Sequence, residues 1–284
     1  MSERILVPYD QSEQADYALD HATGVFESAT IVLLHVVEPF TDYTGTGGYD
    51  ASRYPGELET AEEMLENVRD QHDEHERIAT VVRYGRPPHS ILSYVEDTGV
   101  DHIVMGSHGR GGAARLLLGS VAETVARRSP VPVTVVRREP AGDLDQILVP
   151  FDGSTYARDA LSYALDQFET ADITALYVAY PPTESVRDPV SGFELLDDWE
   201  EEREDHAESV LAMAEEVASE HGRSISTRTD AGAPAETIVE YIEAEAIDHV
   251  VIGSAGRGGL ARLLLGSVAE TVVRRSSVSV TIAK

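Results

Sequence analysis

Two glycine-rich segments of the chain have the composition of a loop that binds an anion. The first reads Gly106-Ser-His-Gly109-Arg-Gly-Gly112, with nine residues between Gly109 and Gly119-Ser120. The second reads Gly253-Ser-Ala-Gly256-Arg-Gly-Gly259, again with nine residues before Gly266-Ser267. Glycine permits backbone conformations that turn successive amides toward one point, and it lets a bulky anion approach the main chain. Each segment therefore predicts a phosphate-binding loop, although a tight turn with nothing bound has the same composition.

A helix is predicted to begin directly after each glycine segment. Ser120 and Glu123 form the S-x-x-E pattern of a capping box, and Ser267 and Glu270 repeat it. The amino end of a helix offers free N–H groups and the positive end of the helix dipole, and both favour phosphate. The pairing of a glycine segment with a helix start, found twice, strengthens the prediction of a phosphate site.

Charged residues near the two segments could complete such a site. Arg110 and Arg257 could each pair with a phosphate oxygen, or equally with a nearby carboxylate. Asp10 and Asp152 each follow an apolar strand-like run. Because Mg²⁺ commonly bridges phosphates using one or two protein carboxylates, either aspartate could be a metal ligand, or could instead cap the next helix.

Several other chemistries lack the residues they need. The chain has no cysteine, which excludes a thiol nucleophile, a cysteine-ligated metal and a disulfide framework. It has no G-x-S-x-G elbow for acyl transfer and no G-x-x-x-x-G-K-[ST] loop. His72 and His75 have metal-compatible spacing, but no matching pair occurs later in the chain, so a solvated acidic helix is favoured. His35 lies in a predicted strand and is expected to pack in the core.

The chain is strongly acidic, with 51 Asp and Glu against 22 Lys and Arg and a formal charge of −29. This charge opposes nonspecific binding to nucleic acid or to anionic membranes. Lys284 is the one lysine. Because such an excess repels itself unless molar salt shortens the Debye length to about 3 Å, we expect a halophilic source. No apolar run approaches the roughly 18 residues that span a bilayer, and the first residues lack a secretory signal, so a soluble cytoplasmic protein is expected.

The sequence contains an internal duplication. Ile5 to Asp10 returns as Ile147 to Asp152, an offset of 142, and Asp101 to Arg128 returns as Asp248 to Arg275, an offset of 147. A period of this size indicates duplicated domains rather than a solenoid. For 284 residues we therefore predict two domains, 1–140 and 141–284.

Apolar runs of strand length alternate with helical patterns in each half. The strands predicted in the first half are Arg4 to Pro8, Thr30 to Val37, Ile78 to Arg83, His102 to Met105 and Val131 to Val136. The helices predicted there are Ser12 to Phe26, Glu57 to His75, Pro87 to Asp97 and Ser120 to Arg128. This alternation indicates an α/β fold with a doubly wound parallel sheet covered on both faces. In such a sheet a ligand binds beyond the carboxyl ends of the strands, where the strand order reverses.

The G-x-x-G-(nine)-G-[ST] pattern resembles the signature of the ATP-binding branch of the universal stress protein (UspA) family. The strand-end aspartates and the sequence Leu34-His-Val36 support the resemblance, which spans nearly all of both halves. It implies two tandem doubly wound, Rossmann-like domains, similar to the adenine-nucleotide alpha-hydrolases. It also implies ATP or another adenine nucleotide as ligand, together with Mg²⁺.

The resemblance assigns roles to residues in both halves. It puts the loop glycines and the following serine around the phosphates, Asp10 near the ribose or a divalent ion, and the Val36 backbone against adenine. The nucleotide-binding residues expected in the first half are Pro8, Asp10, Val36, Gly106, Ser107, His108, Gly109, Arg110, Gly119 and Ser120. Those expected in the second half are Pro150, Asp152, Val178, Gly253, Ser254, Gly256, Arg257, Gly266 and Ser267.

Two positions differ between the halves. His108 is matched by Ala255, and Gln11 stands where the second half has Gly153. We therefore expect the two sites to differ in affinity, or only one of them to be occupied.

The function that the resemblance implies is a nucleotide-binding stress-response protein whose association with partners changes when ATP binds. Two alternatives stay open, namely a slow Mg²⁺-dependent ATPase using Asp10 or Asp152 and an interaction scaffold with vestigial nucleotide sites. In the family, single domains pair through their last strands. Val131 to Val136 and Val278 to Ala283 are therefore expected to pair within this chain, and the resulting module to form a dimer.

Overall fold

The computed structural model describes residues 3–38, 54–109, 118–139, 142, 144–180, 192–256 and 265–284. The chain divides into two compact units, Met1–Ala141 and Gly142–Lys284, called here the first and the second unit. Both are built from alternating strands and helices, as the sequence pattern predicted.

The first unit has five strands and four α-helices among its described residues. The strands are β1 (Arg4–Pro8), β2 (Thr30–Val37), β3 (Ile78–Tyr84), β4 (His102–Gly106) and β5 (Val133–Val136). The helices are α1 (Glu13–Val25), α2 (Tyr54–Gln71), α3 (Pro87–Thr98) and α4 (Ser120–Arg128), and a 3₁₀ turn, His75–Arg77, precedes β3. The predicted elements are all present and differ from these mainly at their ends. The largest difference is in α2, which ends at Gln71 rather than at His75.

The sheet of the first unit is parallel throughout, in the order β3-β2-β1-β4-β5. From β1 the chain moves outward to β2 and β3, and then returns to the other side of β1 to form β4 and β5. The strand order therefore reverses between β1 and β4. This is the place at which a doubly wound sheet leaves a crevice for a ligand, because the connections leave the two strand ends in opposite directions.

The second unit repeats this plan. Its strands are β6 (Gln146–Pro150), β7 (Asp172–Ala179), β8 (Ser226–Ala231), β9 (His249–Gly253) and β10 (Ser279–Ala283). Its helices are α5 (Thr155–Gln167), α6 (Gly192–Glu220), α7 (Pro234–Ala244) and α8 (Ser267–Arg275). The strand order is β8-β7-β6-β9-β10, again parallel, which confirms the predicted fold class of two tandem doubly wound domains. Within the described part of the chain, no helix has the length and apolar composition needed to cross a bilayer.

Helices cover both faces of the sheet in the first unit. On one face α1 packs against β1, β4 and β5 while α2 packs against β2 and β3, and on the other α3 packs against β2 and α4 against β5. Alternate strand residues point to opposite faces of the sheet, so each strand contributes side chains to the hydrophobic core on both faces. Ile5, Val7, Leu33 and Val104 belong to the cluster under α1 and are fully shielded from solvent. Burying such a side chain contributes roughly 1.5–3 kcal/mol, so these strands are the main source of stability.

An arginine caps the carboxyl end of the first helix of each unit. The Arg77 guanidinium donates hydrogen bonds to the carbonyl oxygens of Thr23, Phe26 and Ala29, at 2.9–3.1 Å. Arg223 donates in the same way to Leu165, Phe168 and Ala171, at 2.6–2.9 Å. The last carbonyls of a helix have no partner within the helix, and the negative end of the dipole favours a cation there. The sequence pattern did not predict these arginine caps.

We predict that Arg77→Met lowers the free energy of unfolding by about 2 kcal/mol, because several carbonyls lose a charged donor at once. Urea denaturation followed by circular dichroism measures the change. Arg69→Met is the matched control, since Arg69 pairs with its neighbour Asp70 at the surface and should contribute little. Equal effects of the two substitutions would contradict the capping role.

Two histidines, one on α1 and one on β4, are buried together in the first unit. His21 is 4% exposed and His102 is 1% exposed. Burial lowers the pKa of His21 to about 4, and burial together with the nearby His21 lowers the pKa of His102 to about 3. The His102 Nε2 atom lies 2.8 Å from the Thr134 hydroxyl, and its ring lies against Phe26. Both imidazoles are therefore neutral in the folded protein at neutral pH.

These histidines should make the first unit less stable as the pH falls from 6.5 toward 4. In this window the unfolded chain binds protons on His21 and His102 that the folded chain does not, so each histidine removes up to about 1.4 kcal/mol per pH unit. Urea denaturation at pH 5, 6 and 7 measures the slope. We predict that His21→Gln makes the slope shallower and that exposed His89→Gln leaves it unchanged. Parallel slopes for all three proteins would refute the prediction.

Candidate functional site

The Asp10 carboxylate organises the carboxyl end of β1. Its Oδ1 atom accepts hydrogen bonds from the Ser12 amide at 3.1 Å and from the Ser12 hydroxyl at 2.5 Å. Ser12 is the N-cap of α1, and its Oγ atom accepts from the Ala15 amide at 3.2 Å. The strand-end aspartate does not cap α1 itself but holds the capping serine, and its expected role as a metal ligand stays a prediction.

The second unit has the same arrangement around Asp152. Its Oδ1 atom accepts from the Ser154 amide at 3.0 Å, and the Ser154 hydroxyl caps α5 by accepting from Ala157 at 3.2 Å. The residue between the aspartate and the serine has a positive φ in both units, 64° at Gln11 and 78° at Gly153. Glycine adopts this left-handed conformation without strain, whereas a residue with a Cβ does not. The difference noted in the sequence is therefore a difference in backbone strain.

We predict that Gln11→Gly raises the free energy of unfolding by about 1 kcal/mol, because it removes the Cβ from a left-handed backbone position. Gly153→Gln, the reciprocal change in the second unit, should lower it by a similar amount. Urea denaturation of both variants against the parent chain measures the two shifts. Shifts of the same sign would show that strain at this turn is not the cause.

The first glycine of each loop is required by helix packing. A Cβ at Gly106 would lie 2.7–2.8 Å from the Cβ and backbone atoms of Gln14 in α1, and a Cβ at Gly253 would lie 2.6–2.9 Å from those of Tyr156 in α5. Contacts this short do not occur between real side chains, so α1 and α5 can approach the strand ends only because these positions are glycine. Gly106 also lines the cavity described below.

The second glycine of each loop lies against the strand-end aspartate. A Cβ at Gly109 would overlap the Oδ2 atom of Asp10, and a Cβ at Gly256 would lie 3.0 Å from Oδ2 of Asp152. In each unit the aspartate therefore has two contacts. Its Oδ1 atom binds the capping serine, and its Oδ2 atom lies against the second glycine of the loop. The aspartate and the loop, about a hundred residues apart in sequence, form one structural unit at the strand-order reversal.

The third glycine closes each loop. The Gly119 amide donates to the Ser107 carbonyl at 2.7 Å, and the Gly266 amide donates to the Ser254 carbonyl at 2.8 Å. A Cβ at Gly119 would lie 3.1 Å from the Cα atom of His108, so the two ends of the loop meet with no room for a side chain. These two glycine amides are therefore occupied by their own loops and are not free to bind a phosphate.

The expected capping boxes are wrong, although the predicted helix starts are confirmed. The N-cap of α4 is Gly119 and that of α8 is Gly266, and no side chain caps either helix. Ser120 is the first helical residue, and Glu123 pairs with Arg127 at 3.1 Å instead of reaching back. The first N–H groups of α4 thus carry no side-chain cap, which leaves them for a ligand or solvent.

A cavity of about 810 Å³ opens at this point of the first unit. It is bounded by the carboxyl ends of β1, β2 and β4 and by the amino ends of α3 and α4. The predicted residues that line it are Pro8, Asp10, Val36, Gly106, His108, Gly109, Gly119 and Ser120. The volume lies within the range of small-molecule sites, which is roughly 300–1,000 Å³.

One predicted residue of the first unit, Ser107, does not line the cavity, and another, Arg110, cannot be placed. Ser107 is 1% exposed and is not among the lining residues, because its amide donates to Val136 and its hydroxyl lies 3.0 Å from His108 Nδ1. Arg110 lies outside the described residues, as does Arg257 in the second unit. Ser107 is therefore part of the buried packing of the loop and not of the cavity lining.

The lining also contains residues that sequence reasoning missed. His35 lines the cavity and is only half-buried, so the expectation that it packs in the core is wrong. Its Nδ1 atom lies 2.7 Å from the Tyr9 carbonyl, which can only accept, so Nδ1 carries the proton. The other missed residues are Tyr9, Ser12, Ala15, Leu34, Val37, Glu38, Pro87, Ile91, Met105, Leu118, Val121 and Ala122.

Tyr9 anchors the floor of the cavity. It is 5% exposed, and its hydroxyl donates to Asp16 at 2.5 Å. Burial, reinforced by this hydrogen bond, raises the pKa of Tyr9 well above its usual value. The phenol is therefore a fixed neutral group that holds α1 against β1, rather than an acid or base for chemistry.

The predicted residues of the second unit occupy matching positions. Pro150 ends β6, Asp152 and Gly256 approach each other, and Val178 is half-buried near the end of β7. Gly253, Ser254, Gly266 and Ser267 repeat the packing, closure and helix start of the first unit. Among the described residues of either unit, no group of three or more His, Asp or Glu side chains could hold a metal ion.

The chain is similar to known proteins along nearly its whole length. The model of the universal stress protein family matches residues 1–137 and 144–284. A universal stress protein of Methanocaldococcus jannaschii is 34% identical over 157 residues, which cover 49% of this chain and 97% of that protein. One of Mycolicibacterium smegmatis is 27% identical over 302 residues, covering 99% of this chain and 96% of the relative. The crystal structure of a universal stress protein from Archaeoglobus fulgidus is similar along the whole chain, with a TM-score of 0.71, 27% identity, and coverage of 100% and 99%.

Proposed function

Because the chain belongs to the universal stress protein family, we propose that its first unit binds ATP or a related adenine nucleotide and that binding changes its association with other proteins in the stress response. The observation that carries the proposal is the cavity at the strand-order reversal, which joins the glycine loop and the amino end of α4 to an apolar wall. A nucleotide needs both features, since its phosphates are anionic and its base is largely apolar.

The phosphate end of the proposed site is formed by α4 and the loop. Ser120, Val121 and Ala122 are the first residues of the helix and all line the cavity. Their amides lie in the helical turn that has no intrahelical acceptor, and the helix dipole adds a partial positive charge. This local charge matters because the chain carries −29 overall, and screening by salt weakens the distant repulsion more than it weakens contacts within a few ångströms.

The base end of the proposed site is apolar. Leu34 and Val36 of β2, Met105 of β4, and Pro87 and Ile91 of α3 line this part of the cavity. Leu34 and Ile91 are 1% exposed, so they form a fixed wall. Val36 and Val37 at the end of β2 line the cavity, and we propose that the Val36 main chain contacts the base. This combination suits a planar base that is stacked on apolar side chains and read by the backbone.

Mg²⁺ fits the proposed site as a companion of the phosphates. Asp10 lies against the glycine loop at Gly109, and Mg²⁺ usually takes one or two protein carboxylates with phosphate oxygens and waters. Asp10 would hold the ion in the first unit and Asp152 in the second, and the bound ion would offset phosphate charge. We include in the proposal a cytoplasmic location and self-association through Val131 to Val136 and Val278 to Ala283.

We predict that Gly109→Val with Gly256→Val abolishes nucleotide retention while leaving the circular dichroism spectrum unchanged. The new side chains would occupy the space of the Asp10 and Asp152 carboxylates and push the loops away from the helix starts. Native mass spectrometry after purification in molar KCl counts the nucleotides that remain bound per chain.

The matched control for this experiment is Gly24→Val. Gly24 is exposed near the end of α1, and a Cβ there meets nothing within 4 Å. It should leave retention unchanged. Nucleotide bound equally to the parent chain and the double variant would refute the loop assignment. The proposed function would be refuted if the parent chain retains no nucleotide and titration with ATP and Mg²⁺ gives no heat of binding.

A further inference from the structure

One arginine of the second unit donates its hydrogen bond to a sulfur atom. Arg158 lies on α5, and its Nη2 atom is 2.8 Å from the Sδ atom of Met213 on α6. A thioether is a weak acceptor, whereas a guanidinium forms its strong hydrogen bonds with carboxylates. The chain has 51 acidic residues, yet no carboxylate among the described residues pairs with Arg158. This cation therefore faces an acceptor much weaker than a carboxylate.

The position of Arg158 in its helix does not compensate for the weak acceptor. Arg158 is the fourth residue of α5, and the first turn of this helix contains no acidic residue. A cation near the amino end of a helix faces the positive end of the helix dipole. The first unit has Asp16 at the matching position of α1, where a carboxylate is favoured, and Asp16 accepts from the Tyr9 hydroxyl. The contact between arginine and sulfur is thus a difference between the two units.

The methionine, unlike the arginine, has a counterpart in the first unit. Met64 on α2 corresponds to Met213 on α6 at an offset of 149. The buried residues around them match at the same offset, namely Ala61 and Leu65 in the first unit and Val210 and Ala214 in the second. Both methionines are half-buried, so a small oxidant reaches either sulfur. Among the described residues, an arginine donor is found at Met213 and not at Met64.

Oxidation of the thioether would change what this arginine binds. The sulfur attacks one oxygen of hydrogen peroxide, and an S–O bond forms as the O–O bond breaks. The proton of the transferred oxygen passes to the departing hydroxide, which leaves as water. Sulfur loses two electrons, and the peroxide gains them. The product is a sulfoxide, a polar group whose oxygen is a better hydrogen-bond acceptor than the sulfur was.

We propose that Met213 is an oxidation site of the second unit, at which a peroxide forms a sulfoxide and Arg158 binds the sulfoxide oxygen. A methionine sulfoxide usually disrupts the packing of its once apolar side chain. At Met213 the charged hydrogen bond from Arg158 offsets this loss and joins α5 to α6. Met64 has no such donor, so its oxidation destabilises the first unit.

The experiment compares three full-length variants before and after treatment with hydrogen peroxide. Met64→Leu keeps Met213 together with Arg158. Met64→Leu combined with Arg158→Leu keeps Met213 without its donor. Met213→Leu is the matched control, because it keeps Met64 as the half-buried methionine. Peptide mass spectrometry measures the oxidation of each methionine, and urea denaturation followed by circular dichroism measures the midpoint of unfolding.

Peroxide should convert Met213 to the sulfoxide in Met64→Leu and leave the urea midpoint of this variant unchanged or raised. The midpoints of the other two variants should fall by at least about 0.3 M, because each then holds a sulfoxide that has no charged donor. Met105 is present in all three proteins, so any oxidation of it cancels in the comparison.

A conservative variant separates the donor from its packing. Arg158→Lys in the Met64→Leu background should keep the midpoint unchanged on oxidation, since an ammonium also donates to the sulfoxide oxygen. Equal falls in the midpoint with and without Arg158 would overturn its role. If Met213 stays reduced under conditions that oxidise Met64 in the control variant, the oxidation site itself is overturned.

Discussion

The contact between a strand-end carboxylate and a glycine loop is the constraint on which the site depends. Asp10 accepts hydrogen bonds from the N-cap of α1 through one oxygen and lies against Gly109 with the other. Asp152 repeats the arrangement with Ser154 and Gly256. Because the carboxylate touches both partners, the start of the helix, the end of the strand and the loop cannot move independently.

The three glycines of the loop meet different physical demands. Gly106 lets α1 approach the end of β4, Gly109 leaves room for the carboxylate, and Gly119 lets the loop close on itself. All three glycines line the cavity, and the Gly119 amide is already bonded to Ser107. The donors in the proposed phosphate site are therefore the first amides of α4, and the glycines allow the surrounding backbone to pack.

The two units share their helix caps and buried contacts more closely than they share the residues at the rim of the cavity. The arginine caps of Arg77 and Arg223, and the buried histidines at the start of β4 and β9, occur in both units. The residue after the second strand of each unit differs, since Glu38 lines the cavity of the first unit and its counterpart in the second unit is the exposed Tyr180. A shared core permits such divergence, because exposed residues between the elements contribute little to stability.

The sequence by itself determined the duplicated α/β fold and the strands and helices to within a few residues, and it predicted the place at the ends of β1 and β4 where the cavity of the first unit lies. These follow from local periodicity and from a rule about parallel sheets, both of which can be read from one chain. Tertiary structure alone decided that Gly106 serves packing, that Ser107 lies behind the loop, and that His35 and Glu38 face the cavity. The structure also shows that the N-cap of α4 is Gly119, where the sequence pattern predicted Ser120. These outcomes depend on which side chains meet across distant parts of the chain, and a pattern of spacing carries no information about such contacts.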